Sequence, residues 1–140
     1  MAIFANTDAV VTINSVDVSD HVVSCQWTES TDTVETVAMG DEYVTVKPTF
    51  KRGTFDVELQ QDFAASDVYA TLVAIQDASP PAAVTVTYKA TSAATGATNP
   101  ESSTSAILTS MPLVGGQIGE ISTITASFVF DGTDVTRAVA

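Results

Sequence analysis

The chain of 140 residues contains one cysteine, one histidine, one tryptophan and only five Lys and Arg. A single cysteine closes no intrachain disulfide, which excludes the small extracellular domains held together by cystine frameworks. Five cations against 17 Asp and Glu give a net charge of −12, a balance that repels polyphosphate. Apolar runs are short, and none approaches the ~18 residues needed to cross a bilayer. Met1-Ala-Ile-Phe-Ala-Asn6 has no positive charge ahead of its apolar stretch, so no secretory signal is expected. With 45% hydrophobic and 16% charged residues, the composition is not that of a disordered segment. These absences point to a soluble, acidic protein made in a cytoplasm. Residues 1–140 are expected to form a single domain around one core.

What the sequence has is Thr, Val, Ser and Ala. Thr and Val are β-branched and suit a pleated surface better than a helix. Val11 and Ile13 alternate with Thr12 and Asn14, and Val23, Cys25 and Trp27 with Ser24, Gln26 and Thr28. Phe55, Val57 and Leu59 alternate with Asp56, Glu58 and Gln60, the cleanest half-buried strand of the chain. Val84, Val86 and Tyr88 follow the same rule, as do Ile124, Ala126, Phe128 and Phe130. The expected class is all-β, an antiparallel sandwich or barrel of six to eight strands.

One segment is different. Ser66 and Asp67 suit a helix N-terminus, Val68, Leu72 and Ile75 recur at helical spacing, and Ser79-Pro80-Pro81 ends the run. A short α-helix at about 66–76 is therefore expected to flank the sheet. Residues 39–52 have weak periodicity and read as a long loop carrying Lys47, Lys51 and Arg52, three of the five cations. Thr91–Thr104 also has a loop composition, and Gly115-Gly116 reads as a hairpin turn.

Catalytic chemistry finds little support. Asp17, Ser19 and His21 are the residue types of a hydrolase triad, but a triad draws its members from separate elements. Asp17, Asp20 and His21 lack the convergent partners of a metal site, so no metal and no other cofactor is expected. Cys25 is in phase with Trp27 and reads as a small buried hydrophobe. Gly115-Gly116-Gln-Ile-Gly119 precedes a strand, not a phosphate-binding helix. Asp56 and Glu58 share a strand face about 7 Å apart, which matches an acidic sheet surface better than a glycosidase pair. The basic island in an acidic chain is better suited to carboxylates of a second copy than to nucleic acid. The chain is expected not to be an enzyme.

Val11-Thr-Ile-Asn-Ser-Val-Asp-Val-Ser-Asp-His-Val22, Ala38-Met-Gly-Asp41 and Gly53-Thr-Phe-Asp-Val-Glu-Leu-Gln-Gln-Asp-Phe63 have a familiar order and spacing. So do Ala90-Thr-Ser-Ala-Ala-Thr-Gly-Ala-Thr-Asn-Pro-Glu101 and Gly115-Gly-Gln-Ile-Gly-Glu-Ile-Ser-Thr123. Together these blocks resemble the major tail tube proteins of long, flexible-tailed bacteriophages of the siphovirus type. The resemblance spans about residues 11 to 130 and implies a tail-tube fold and homo-hexameric rings stacked into a tube. It also implies tail-tip or terminator and tape-measure proteins as partners, with phage DNA passing through the lumen without specific binding and no membrane involved. Such a subunit is assembled in the host bacterial cytoplasm and resides in the virion. On this reading Asp56 and Glu58 face the lumen, with Asp32 and Glu35 as further candidates. The loop at 39–52, through Tyr43, Val46, Lys47, Phe50, Lys51 and Arg52, joins successive rings. The alternative is an Ig-like β-sandwich serving as a binding or decoration module on a virion or cell surface, with an exposed aromatic patch.

Overall fold

Alternation along Phe55–Gln60 organises the molecule, because it gives one strand a buried and a wetted face that its neighbours must match. The computed structural model describes residues 8–63, 68–112 and 117–138. It comprises β1 (Val10–Ile13), β2 (Val16–Asp17), β3 (Val22–Thr36), β4 (Thr45–Gln60), α1 (Val68–Gln76), β5 (Val84–Lys89), β6 (Glu101–Ser110), β7 (Thr123–Phe130) and β8 (Thr136–Ala138). A 3-10 turn at Ser19–His21 leads into β3. The fold is all-β and antiparallel with one short flanking helix. The strands run in the order β2-β1-β5-β6-β7-β4-β3, with β8 added beside β6.

The core explains how this sheet is shaped. Val11 and Ile13 of β1 lie in the same buried cluster as Phe55, Val57 and Leu59 of β4, although three strands separate them in sheet order. The sheet must therefore curl on itself. Ile124, Ala126 and Phe128 of β7 fill the middle of the cluster, and Val68, Leu72 and Ile75 of α1 pack against it. Val68, Thr71, Leu72 and Ile75 form the buried stripe of the helix, as its spacing predicts. Its expected N-cap, Ser66 with Asp67, lies outside the described residues, as does the Gly115-Gly116 turn.

β1 and β2 are joined by Asn14-Ser15, both at positive φ (51° and 67°), the geometry of a two-residue hairpin turn. β6 changes partners along its length. Lys89 to Val84 of β5 pair with Glu101 to Ala106, whereas Ala106 to Ser110 pair with β7. The expected loop at Thr91–Thr104 is accordingly shorter, since β6 begins at Glu101. Asn99 closes what remains of that loop. Its side chain accepts from the Thr91 N–H and donates to the Ala93 carbonyl at 2.9 Å.

The larger departure concerns residues 39–52. Strand β4 begins at Thr45, so most of the expected loop is strand, and only the connection between Thr36 and Thr45 is not. Weak alternation hid it because neither face of this stretch is buried. A second departure is Val23, which a register shift between Val22 and Ser24 turns outward, leaving Val22 half-buried in its place.

Candidate functional site

Ladder register determines what surrounds each carboxylate. Asp56 stands between Gln26 of β3 and Ser127 of β7, and Glu58 between Ser24 and Thr125. The Ser24 hydroxyl donates to Glu58 Oε2 at 3.1 Å. Phe55, Val57 and Leu59 take the core side, so Asp56 and Glu58 lie on the outward face, as their alternation predicts. That face is Ser24, Gln26 and Thr28 on β3, Asp56 and Glu58 on β4, and Thr125 and Ser127 on β7. It carries no Lys or Arg along these stretches, and Val129 with Ile107 forms its one apolar corner.

Asp32 and Glu35 do not act together. Alternation along β3 puts Asp32 in phase with Ser24 and Gln26, hence with Asp56 and Glu58. Glu35 is in phase with Cys25 and Trp27, on the opposite side, and pairs across the ladder with Val46. Asp32 is also engaged, accepting from Arg52 Nε at 2.7 Å.

Beyond Thr54, β4 has β3 as its only ladder partner among the described residues, because β7 pairs no further than Thr54 with Val129. The two strands therefore leave the body as an arm. A register shift between Thr31 and Thr33 bends it, with the Thr49 hydroxyl bonded to the Asp32 carbonyl. Nine residues of β4 at about 3.3 Å each make the arm roughly 30 Å long. Val34, Val37, Met39, Tyr43, Val44, Val46 and Phe50 are all exposed on it, Tyr43 at 83%. Lys47 and Lys51 form no ion pair among the described residues, whereas Arg52 is held by Asp32.

The arm's root is packed. Trp27 lies 5.3 Å from Phe55 and 4.9 Å from Phe130, ring centre to ring centre. Phe130 occupies the space above Gly53, where any Cβ would overlap its ring. An open groove of about 950 Å³ follows, lined by Phe50, Lys51 and Arg52 on one side and Phe130, Asp131 and Arg137 on the other. Arg137 donates to Glu29 across it. Hydrogen bonds from Thr133 hold the Asp131 carboxyl below its ordinary pKa, and burial pushes the Cys25 thiol up.

At the other end of the sheet, His21 sits between two carboxylates, Nδ1 to Asp20 and Nε2 to Asp62, each at 2.9 Å. Ser19 instead bonds Asp17 and the backbone of Val11. The imidazole is thus engaged by carboxylates at both nitrogens, and Asp17 serves Ser19 rather than His21. Among the described residues no group of three or more His, Cys, Asp and Glu is placed to hold a metal ion, and no helix is long and apolar enough to cross a membrane.

No protein-family model and no curated protein matches the chain. Solved structures do. A chain of the virion of a native gene transfer agent particle superposes with a TM-score of 0.73 at 8% identity, covering 99% of this chain and 100% of that one. A chain from the sheath/tube terminator of an extracellular contractile injection system, PVC, in its extended state gives 0.72 at 14% identity, covering 97% and 98%. A chain from the tube-terminating cap of the anti-feeding prophage gives 0.69 at 17%, covering 97% and 92%. At these identities the likeness establishes a shared fold over nearly the full chain, one used in phage-like tail particles.

Proposed function

We propose that this chain is a non-enzymatic structural subunit of a tail tube, six copies closing into a ring and the rings stacking into a conduit for DNA. The observation that carries the proposal is a pair of unsatisfied sheet edges flanking one acidic, polar face. Strand β3, 15 residues long, ends the sheet and, among the described residues, has no partner on its outer side. Among the described residues, the second half of β6 is open on the side that β5 leaves at Ala106. Between these edges run β6, β7, β4 and β3, whose outward face bears Asp56 and Glu58. An unpaired edge offers its N–H and C=O groups to another chain, and a head-to-tail contact between two different edges closes a ring when the rotation allows. Joining β3 of one copy to β6 of the next continues the sheet and turns the acidic face inward.

The chemistry of such a lumen suits passage without binding. Carboxylates surrounded by Ser, Thr and Gln repel phosphates and offer no aromatic platform for bases. Asp32, in the same phase, extends this surface, although Arg52 neutralises it locally; Glu35 belongs to the outer side. The structural neighbours come from gene transfer agent and contractile particles, so membership of a long, flexible tail rests on the sequence blocks quoted above. Tail-tip, terminator and tape-measure partners, and assembly in a host bacterial cytoplasm before residence in the virion, follow from the same reading. A surface-binding module would gather its exposed aromatics in one patch, whereas Tyr43 and Phe50 lie on the arm and Phe63 at the far end of the sheet.

Negative-stain microscopy of concentrated protein should show rings or tubes of constant bore; a strictly monomeric species, even with a tail-completion partner present, overturns the proposal. In the assembled particle, Asp56→Lys with Glu58→Lys should leave tubes intact and slow or block DNA ejection. Unchanged ejection through a bore lined by those residues would refute the repulsion mechanism alone.

A further inference from the structure

His21 is the only histidine of the chain, and neither the core nor the acidic face uses it. Its imidazole joins two segments. Nδ1 lies 2.9 Å from Asp20 Oδ1 on the same turn, and Nε2 lies 2.9 Å from Asp62 Oδ2, just past the end of β4. Asp62 is itself fixed by its backbone. The Gln61 N–H donates to the Ser122 carbonyl at 2.9 Å, and the Asp62 carbonyl accepts the Tyr69 N–H of α1 at 3.0 Å. The side chain of His21 is 16% exposed and that of Asp62 35%, whereas Asp20, at 82%, is largely in water.

The same turn has an attachment that needs no histidine. The Ser19 hydroxyl accepts the Val11 N–H at 2.9 Å, and Asp17 accepts the Ser19 N–H at 2.9 Å. The Val18 N–H donates to the Val11 carbonyl, and the His21 N–H to the Val18 carbonyl. These bonds fasten the corner at residues 16–21 to β1. The contact between His21 and Asp62 fastens it to β4.

An ionised carboxylate only accepts, so carboxylates at both ring nitrogens are satisfied together by a ring protonated at both. A neutral ring has one N–H, and its other nitrogen would set a lone pair against an oxygen at 2.9 Å. Charge favours the same state. Residues 10–28, 53–88 and 117–130, which supply the elements at this end, contain no Lys or Arg. The charged groups on these elements are all acidic: Asp17 and Asp20 on the corner, Asp56, Glu58 and Asp62 along and past β4, and Glu120 on the approach to β7. The segment Val22–Thr28 of β3 and all of α1 contribute no charged residue. Asp67, ahead of α1, lies outside the described residues.

We propose that His21 is a pH-operated latch, an imidazolium that ties the corner at residues 16–21 to the end of β4 and loosens it on losing its proton. A proton shared by two carboxylates is held more tightly in the folded chain than in the unfolded one. The stabilisation is complete below the unfolded-chain value, ordinarily about 6.5 for a histidine, and is lost as pH rises through the higher folded value. It is lost again in acid, once the carboxylates take up protons. Above the folded midpoint, Asp20 turns to water at little cost and Asp62 keeps a neutral hydrogen bond, about half as strong as the charged one.

Because the chain has one histidine, its ring C–H signals in an NMR titration need no assignment. The folded protein should titrate at higher pH than the same chain in concentrated urea, each unit of difference being a tenfold change in the folding equilibrium constant. Asp62→Asn should return the folded midpoint most of the way to the urea value, and Asp20→Asn by less. A folded midpoint at or below the unfolded one overturns the proposal, as does a midpoint indifferent to Asp62→Asn. Amide exchange reads the corner directly. Protection at Val18 and His21, relative to the intrinsic rate, should drop above the folded midpoint while that at Val57 and Phe128 holds. Equal protection of the corner on both sides of the midpoint overturns the latch. All these readings are made on the subunit before assembly, so they stand or fall independently of the tube.

Discussion

The two halves of the β3–β4 hairpin are built by the same two-residue period and meet opposite environments. From Thr54 to Gln60, β4 lies between β3 and β7, and Phe55, Val57 and Leu59 are completely buried. From Thr45 to Arg52 it has one neighbour among the described residues, and every residue is exposed. A two-stranded ribbon is marginal in water unless a face is covered. The arm persists through its continuity with the body, through the Asp32–Arg52 pair and through the aromatic cluster at its root. Its apolar residues Val34, Tyr43, Val44, Val46 and Phe50 stay exposed.

The comparison is broken most severely in the body. Phe55→Ala removes a side chain packed on Trp27 and Phe128 and should cost about 3–5 kcal/mol in chemical denaturation. Phe50→Ala, the same change on the arm, should move the midpoint by no more than about 0.5 kcal/mol while impairing assembly. Equal losses at the two positions would mean that the arm is folded against the body in solution.

A smaller effect is expected where the halves join. Gly53→Ala forces Phe130 off its site and away from Trp27, a strain of about 1–3 kcal/mol. Thermal melting should show the loss, and tryptophan fluorescence should report the displaced ring. Gly53→Ala combined with Phe130→Ala, which removes the overlap, should cost less than the sum of the two.

The smallest effect is a pH dependence at the same junction. The Asp131 carboxyl has its pKa lowered by bonds from Thr133, so it favours the folded state only when ionised. Its contribution is complete above the ordinary carboxylate range and disappears as pH falls through the lowered folded value. Asp131→Asn should therefore be less stable than the parent near neutrality and converge with it in acid. A gap that widens on acidification would contradict the sign.

The body was legible in the sequence because burial of one face writes itself as alternation. Phe55 to Gln60, Val84 to Tyr88 and Ile124 to Phe130 all have the faces their periodicity predicts. The helix was legible for the same reason, through Val68, Leu72 and Ile75. The arm was not, because a ribbon with two wet faces has no periodic selection on hydrophobicity, so Thr45 to Arg52 reads as loop. Val23 was misplaced by a local feature, and alternation alone puts Glu35 on the face of Cys25 and Trp27. A register shift near Val22 moves one residue outward, and no buried neighbour marks the face of β3 near Glu35.

By itself, the sequence determined the class of fold, the core side of the central strands and the acidity of the opposite side. These depend on nearest neighbours along a strand, where a period of two is enough. Only the tertiary structure decided that residues 45–52 are strand, that β6 changes partners at Ala106, and that β4 leaves β7 at Thr54 to run on with β3 alone among the described residues. Those features depend on which strands pair and where pairing stops. Hydrogen bonds between residues far apart in the chain settle that, and neither composition nor local period records them.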